Sequence, residues 1–482
     1  MALARGERTC AHCPFTDAVQ SPPRAVQLAP ADSDPFTRTF PWRSAPIAVA
    51  GLGLGDEGKG ATVDALVRAF ARTVVVRHGG GPQAAHHVVR SDGAVHCFAQ
   101  LGAGTLVPGV RTFLGPRMLV EPLGLLREAA ALADIGVADG LRRLTIAATC
   151  PIVTPFHRLF GRIQELSRGT GRHGSCGLGV GAAYVDAQSP ALPTLRFHEL
   201  HDRGALHRKL RLIQLIKLDH AEQIAEANPG PALAPLLAEL ARPDQLADLL
   251  SAYTSLANHV TTDDGQLLKS VLRDSPASVI FEGAQGVLLD ADRGFWPHVS
   301  PGTPGFDHAL ELLRDADAPP PLRLGVLRAY ATRHGPGPLV SEDPALTARL
   351  PELHNPAGVW QGPMRVGWFD LVATRHALAI AGPVDGLVLT CLDRLPALDP
   401  LAVCTAYRDG DERLTTLPAP PTDRAAGRGL TAKLLRCAPE LTRLPACTSA
   451  VYARTLADAL GLSLAGLAAG PTADDRTWAP AR

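Results

Sequence analysis

The stretch IAVAGLGLGDEGKG, Ile47 to Gly60, narrows the folds open to this chain more than any other. Ile47 to Ala50 reads as a short buried strand that runs into a glycine-rich turn. The following ATVDALVRAFAR, Ala61 to Arg72, spaces its apolar residues as a helix does. Strand, glycine loop and helix together make a phosphate cradle, because main-chain N–H groups and a helix N-terminus both attract an anion.

Two familiar loop patterns are each incomplete here. Gly53, Gly58 and Lys59 fit G-x-x-x-x-G-K, but Gly60 stands where Ser or Thr would hold magnesium. Gly53, Gly55 and Gly58 fit G-x-G-x-x-G, but the next strand, Thr73 to Val76, ends in Arg77 rather than in a ribose-binding acid. A third reading gives the missing part to Asp56, a carboxylate placed to ligate magnesium or to act as a base beside phosphates held by Lys59. A turn that merely joins strand to helix is a poor place for Asp, Glu and Lys among glycines.

A chain of 482 residues has room for one large α/β domain with insertions, or for two or three smaller ones. Its net charge of +0 and pI near 7.3 give no sign of a nucleic-acid or membrane surface. No apolar run reaches the ~18 residues of a spanning helix. The N-terminus lacks the basic-then-apolar pattern of a secretory signal. The nine scattered cysteines then suit reduced thiols in a cytoplasmic protein. Residues 1 to 44 show little periodicity and are expected to form a flexible extension. Within it Cys10, His12 and Cys13 lack a second ligand pair, so free thiols are expected rather than a metal site.

Further along, RHGGGPQAAHHVV, Arg77 to Val89, makes a polar loop from which His86 can serve as a general acid, although an ordinary loop histidine is the commoner case. A helix is expected from Pro122 to Ala133, a second glycine cluster at Gly171 to Gly181, and a helical insertion over about 198–273. Ser278 to Glu282 reads as a core strand that places Gln285 at its carboxyl end, where open sheets bind ligands. Leu324 to Thr332 and Leu387 to Leu392 read as strands, Gly367 to Ala377 as leading into a helix, and Ser449 to Leu460 as a helix. Asp393, after the second of those strands, suits the N1–H and N2–H₂ of a guanine, or equally a helix cap or turn. Residues 408 to 450 show no readable pattern.

Together these pieces resemble the adenylosuccinate synthetase family from about Pro46 to Arg476. The matches are G-D-E-G-K-G at Gly55 to Gly60, the glycines and A-x-H ending at His86, and F-E-G-A-Q-G-x-L-L-D at Phe281 to Asp290. Further matches are A-Y-x-T-R at Ala329 to Arg333, G-W-x-D at Gly367 to Asp370, L-T-x-L-D at Leu389 to Asp393, and Gly470-Pro471.

The resemblance implies an α/β fold with a central, mostly parallel sheet flanked by helices, and a P-loop-like GTP-binding architecture with helical and loop insertions. It implies one catalytic domain over 45–482, GTP as co-substrate, Mg²⁺, and a cytoplasmic homodimer acting on small molecules. The implied reaction phosphorylates the 6-oxygen of IMP and lets the amine of aspartate displace that phosphate. In this reading Asp56, His86, Lys59 and Gln285 are catalytic, and the metal sits at Asp56 and Ala85. Gly55, Glu57, Gly58, Lys59, Gly60, Ala61, His87, Cys391, Asp393, Gly470 and Pro471 bind GTP. Gln83, Ala84, Cys176, Gln285, Ser300 and Arg365 face the other substrates.

The departures lie in the recognition parts. The family's aspartate-binding loop carries threonines and then a run of arginines. The matching stretch here, GVWQGPMRVGW from Gly358 to Trp368, keeps only Arg365. Carboxylates are usually held by bidentate arginine, so this stretch is a poor aspartate site. AYVDAQSPAL, Ala183 to Leu192, lacks the arginine that the family lends across a dimer to the substrate phosphate. Cys176 replaces a threonine, Gln83 an asparagine, Ala85 a glycine, Cys391 the lysine that packs on guanine, and Ala468 a late serine. These changes leave open a specialised paralogue with another amine or purine, or a GTP-binding protein without catalysis.

Overall fold

The computed structural model describes residues 26–30, 34–352 and 358–482. The Cys10–Cys13 stretch lies outside the described residues.

A ten-stranded sheet runs through the molecule. Its order is Arg476–Trp478, Leu464–Ala468, Gly386–Thr390, Leu322–Arg328, Ile47–Gly51, Val279–Gly286, Val74–Arg77, Arg111–Leu114, Leu144–Ala147, Thr261–Asp263. Every neighbouring pair is parallel except the edge strand Arg476–Trp478. The central strands are runs of buried residues, broken only at half-buried Gln285 in Val279–Gly286, as expected where helices cover both faces of a parallel sheet. Ile47–Gly51 lies between Val279–Gly286 and Leu322–Arg328. The chain leaves it, passes beyond Val279–Gly286 and returns as Val74–Arg77. At such a reversal of strand order, loops at the carboxyl ends diverge and open a crevice.

Helix Lys59–Phe70 follows the first strand and starts two residues earlier than the sequence pattern suggests. The 408–450 region folds as strands Ala402–Asp409, Glu412–Leu414 and Ala438–Arg443 of a small separate sheet, with helix Arg424–Leu434 between the last two. Residues 203–274 hold four helices, and their edge strand Thr261–Asp263 completes the main sheet. The strand expected over Leu324 to Thr332 is two strands: Leu322–Arg328 in the main sheet and Ala331–His334 in a hairpin with Met364–Gly367.

The expectation that residues 1–44 are flexible is corrected for the end of that segment. Phe40 and Trp42 are completely buried. Trp42 stacks on Phe70 with centroids 4.7 Å apart and meets Trp478 edge-on at 5.5 Å. Its indole N–H donates to Ala479 O at 2.8 Å, and Phe40 N donates to Pro480 O at 2.9 Å. The guanidinium of Arg72 donates to Trp42 O. The segments around Trp42 and Trp478 therefore clasp the helix that follows the phosphate loop. Trp42→Ala removes the centre of this cluster, and it should lower stability by about 3–5 kcal/mol, read as a lower denaturant midpoint.

Candidate active site

The loop after the first strand is shaped from within by Glu57. Its carboxylate accepts from Gly53 N at 3.1 Å and Gly55 N at 2.8 Å, and from Lys59 Nζ at 2.6 Å. Both side chains of the pair are almost fully buried. The Glu57 side chain is thus a brace, a role its expected place among the nucleotide contacts did not anticipate. Gly55 and Gly58 adopt φ of 97° and 89°, which strongly favour glycine. Asp56 is left-handed too, at φ 63°, a conformation costly for a non-glycine residue and one that clusters at functional sites.

Gly60 has a steric cause. A Cβ there would overlap that of His86 and stand 3.0 Å from His86 Cα. The hydroxyl residue of an ordinary P-loop has no room, because the helix start packs directly on the His86–Val89 strand.

Above the loop lies a cleft of about 580 Å³. Asp56, Lys59, His86 and Gln285 all line it, with Gly55, Gly58, Gly60, Gln83, Ala84, Ala85, His87, Cys176 and Ser300. His86 Nδ1 is 2.5 Å from Glu282 Oε1, and Ala103 N donates to Glu282 Oε2 at 2.9 Å. Burial pushes Glu282 up, but Arg77 and His86 outweigh it and hold the carboxyl below its usual value. Burial takes His86 down to about 4, more than Glu282 restores. Near pH 7 this is a neutral imidazole that donates from Nδ1 to a carboxylate and turns its other nitrogen away from that partner.

Burial raises the Asp56 carboxyl, against the pull of Arg328 and Lys59. Its main-chain oxygen accepts from Arg328; among the described residues no hydrogen-bond donor meets its carboxylate. The amide of Gln83 and Nε2 of Gln285 are buried without partners, and Gln285 is held at φ 54°. Buried polar groups normally find partners, so these amides mark positions for polar atoms of a ligand.

Cys391, Asp393, Gly470 and Pro471 sit beyond the carboxyl ends of the neighbouring strands Gly386–Thr390 and Leu464–Ala468. They are not among the residues that line the cleft, and Asp393 is exposed. Ala61 lies in the first turn of the loop helix, also off the cleft wall.

Arg365, expected to face the substrates, is not among the residues that line the cleft, and its guanidinium donates to Gly335 O at 3.1 Å, Gly337 O at 2.6 Å and Glu342 at 2.6 Å. The cleft wall has Arg333 instead, which sequence reading passed over as part of a motif. It donates to Pro336 O, Pro338 O and His298 O at 2.8, 3.1 and 3.0 Å, and burial lowers it to about 9. Arg328 and Glu282, two further charged residues of the site, stood inside or beside quoted motifs, but no spacing rule gave them a role.

The adenylosuccinate synthetase family profile matches residues 48–474. The synthetase of Halothermothrix orenii is 32% identical over 77% of this chain and 82% of its own length. That of a Synechococcus species is 32% identical over 89% and 95%. The chain belongs to the adenylosuccinate synthetase family. Its members are GTP-dependent ligases. In fold, the chain is similar to the fully ligated adenylosuccinate synthetase of Plasmodium falciparum, with TM-score 0.73 and 20% identity over 90% of this chain and all of that one. It is also similar to the cyanophage S-2L succinoaminodeoxyadenylate synthetase, with TM-score 0.54 and 16% identity over 90% and 96%. The family relatives do not favour the specialised-paralogue reading.

Adding a methyl at Gly60 tests the packing of loop helix on histidine strand. Gly60→Ala should cost about 1–3 kcal/mol through overpacking. Gly429→Ala, on a helix with nothing within 4 Å, should be neutral or stabilising by up to about 1 kcal/mol. Paired denaturant titrations check both.

Proposed function

We propose that the chain is a GTP-dependent carbon–nitrogen ligase that converts IMP and aspartate to adenylosuccinate, with GDP and phosphate as the other products. The observation that carries this reading is the convergence of Asp56, Lys59, His86 and Gln285 on one cleft whose buried amides lack partners. A cytoplasmic homodimer belongs to the same proposal, by likeness to the family.

The chemistry divides into two displacements. In the first, the 6-oxygen of the purine attacks the γ-phosphorus of GTP while the N1 proton passes to Asp56. A base buried enough to have a raised pKa suits that transfer. The amide of Gln285 and the free nitrogen of His86 stabilise charge on the 6-oxygen. Nearby phosphate charge favours the imidazolium, with Glu282 holding the ring from behind. In the second, the amine of aspartate attacks C6 and phosphate leaves. Main-chain N–H groups at Gly58 to Ala61, at the start of the loop helix, meet the GTP phosphates. Lys59, held by Glu57, adds a fixed positive charge.

Magnesium fits this donor set. Asp56 lines the cleft and its carboxylate meets no hydrogen-bond donor among the described residues; Ala85, on the same cleft, would add a main-chain carbonyl. When bound, the ion supplies charge neutralisation at the phosphates.

Purified protein with GTP, Mg²⁺, IMP and aspartate should give the absorbance change of adenylosuccinate and one GDP per turnover. Absence of both products would sink the reading. Asp56→Asn should cost on the order of 10²–10⁴-fold in kcat while GTP binding persists, and wild-type turnover in that variant would remove Asp56 as the base. Glu282→Gln takes away the carboxylate that raises the His86 pKa. The alkaline limb of the kcat profile, where His86 loses its proton, should therefore move to lower pH, with the KM for GTP little changed. An unmoved limb would leave Glu282 a purely structural role.

A further inference from the structure

The cleft contains a cation that the proposed reaction has not yet used. Of the Lys and Arg residues on its described walls, Lys59 is paired with Glu57, and Arg168 with Glu165. Arg328 is held by Glu352 at 2.5 Å and by Asp56 O, and Arg333 by three carbonyls. Arg424 alone among them has no hydrogen bond or ion pair within the described residues, and it is exposed at the rim.

Its position follows from the packing of helix Arg424–Leu434. Arg424 and Arg428 are one turn apart and so share a face. Arg428 lies over the Trp296 ring at 4.0 Å from its centroid, and a Cβ on Gly427 would stand 3.1 Å from that of Trp296. The helix start therefore rests on the 295–305 loop, which carries Ser300. Tyr184 also lines the cleft and lies against this loop, its ring 3.9 Å from where a Cβ on Gly302 would stand. It extends from helix Val180–Gln188, which follows the Cys176 loop. The Cys176 loop is fixed in turn: His298 Nδ1 lies 3.2 Å from His173 O, and His173 meets Trp296 edge-on at 5.8 Å. Arg424, Tyr184, Ser300 and Cys176 thus line the cleft around the 295–305 loop, and the family reading gives Ser300 and Cys176 to the non-GTP substrate. The stretch Ala183 to Leu192 brings no basic residue to that end.

We propose that Arg424, supplied by the same chain, is the cation that binds the 5′-phosphate of the purine nucleotide, in place of an arginine lent by a partner subunit. The inference rests on the IMP reading above. A guanidinium with no internal partner forms a charge-assisted contact to phosphate without first breaking another one.

Equilibrium binding of IMP and of inosine, read by calorimetry, tests this without requiring turnover. Arg424→Ala should weaken IMP about tenfold or more, leave inosine and GTP binding within twofold, and leave the melting temperature unchanged. Arg424→Lys should restore part of the IMP affinity. In steady state the same loss should appear as a higher KM for IMP, with kcat largely kept. IMP binding by Arg424→Ala within twofold of wild type would overturn the assignment, as would an equal loss for inosine. If wild-type protein binds IMP through Arg424 but makes no adenylosuccinate, the ligase reading fails while the phosphate assignment stands.

Discussion

The shape of the cleft depends on one buried carboxylate. Glu57 lies under the glycine loop and gathers two main-chain N–H groups and the ammonium of Lys59. A buried ion pair repays its desolvation only when its remaining hydrogen bonds are made, and here they are. The surrounding glycines are the other half of the arrangement. A Cβ at Gly51 or Gly286 would collide with the Glu57 carboxylate, and one at Gly53 would come within 3.0 Å of it. Gly53, which the loop patterns give to phosphate binding, is thus room for Glu57. With the loop braced from below, Asp56 is forced outward in its left-handed conformation and Gly58 begins the helix with its N–H groups free.

That arrangement explains which parts of the fold and site were legible. The strand–loop–helix unit, the histidine loop and the strand ending at Gln285 each carry local signals: glycine spacing, apolar runs and polar residues at strand ends. Their meeting in one cleft follows from a parallel sheet with a switch point beside its first strand. The roles of Glu57 and Arg365 had no local signal. An acid among glycines reads as a ligand contact, and whether its side chain turns inward depends on room left by Gly286, more than 200 residues away. Arg365 stands in the motif position of a carboxylate ligand, but the carbonyls of Gly335 and Gly337 come from the opposite arm of a hairpin and take its hydrogen bonds. Trp42 was lost in a proline-rich stretch without periodicity, because its partners Phe70 and Trp478 belong to distant segments.

The same economy of charge runs through the cleft. Lys59, Arg168 and Arg328 each face an acid of the chain itself, and Arg333 spends its donors on carbonyls. Such fixed pairs keep their geometry before any ligand arrives, so little reorganisation is needed when phosphate charge enters. They also make the site less positive than its count of basic residues suggests, in keeping with a net charge of +0 for the chain. A polyanionic ligand must then be met largely by main-chain N–H groups and by whichever cations stay free.

This shifts the burden of selectivity. On the hairpin side, Arg333 and Arg365 both stabilise the turn at Gly335 to Gly337, and two guanidiniums in one tightly packed turn leave it rigid. The turn presses on the glycine cluster across the cleft. A Cβ on Gly174 would strike Pro336, and one on Gly177 would meet the Trp360 ring, on whose face Arg162 rests at 5.1 Å. Arginines that would grip a free carboxylate in a looser loop here hold two loops together. This side of the cleft is a preformed wall of shape and backbone polarity, with His298, His334 and Gln361 half-buried in it. Arg424, exposed on the helix that rests on the Trp296 loop, makes no hydrogen bond or ion pair within the described residues. The fixed hairpin and the unpaired guanidinium thus meet through one loop, since His298 accepts from Arg333 and Trp296 carries Arg428.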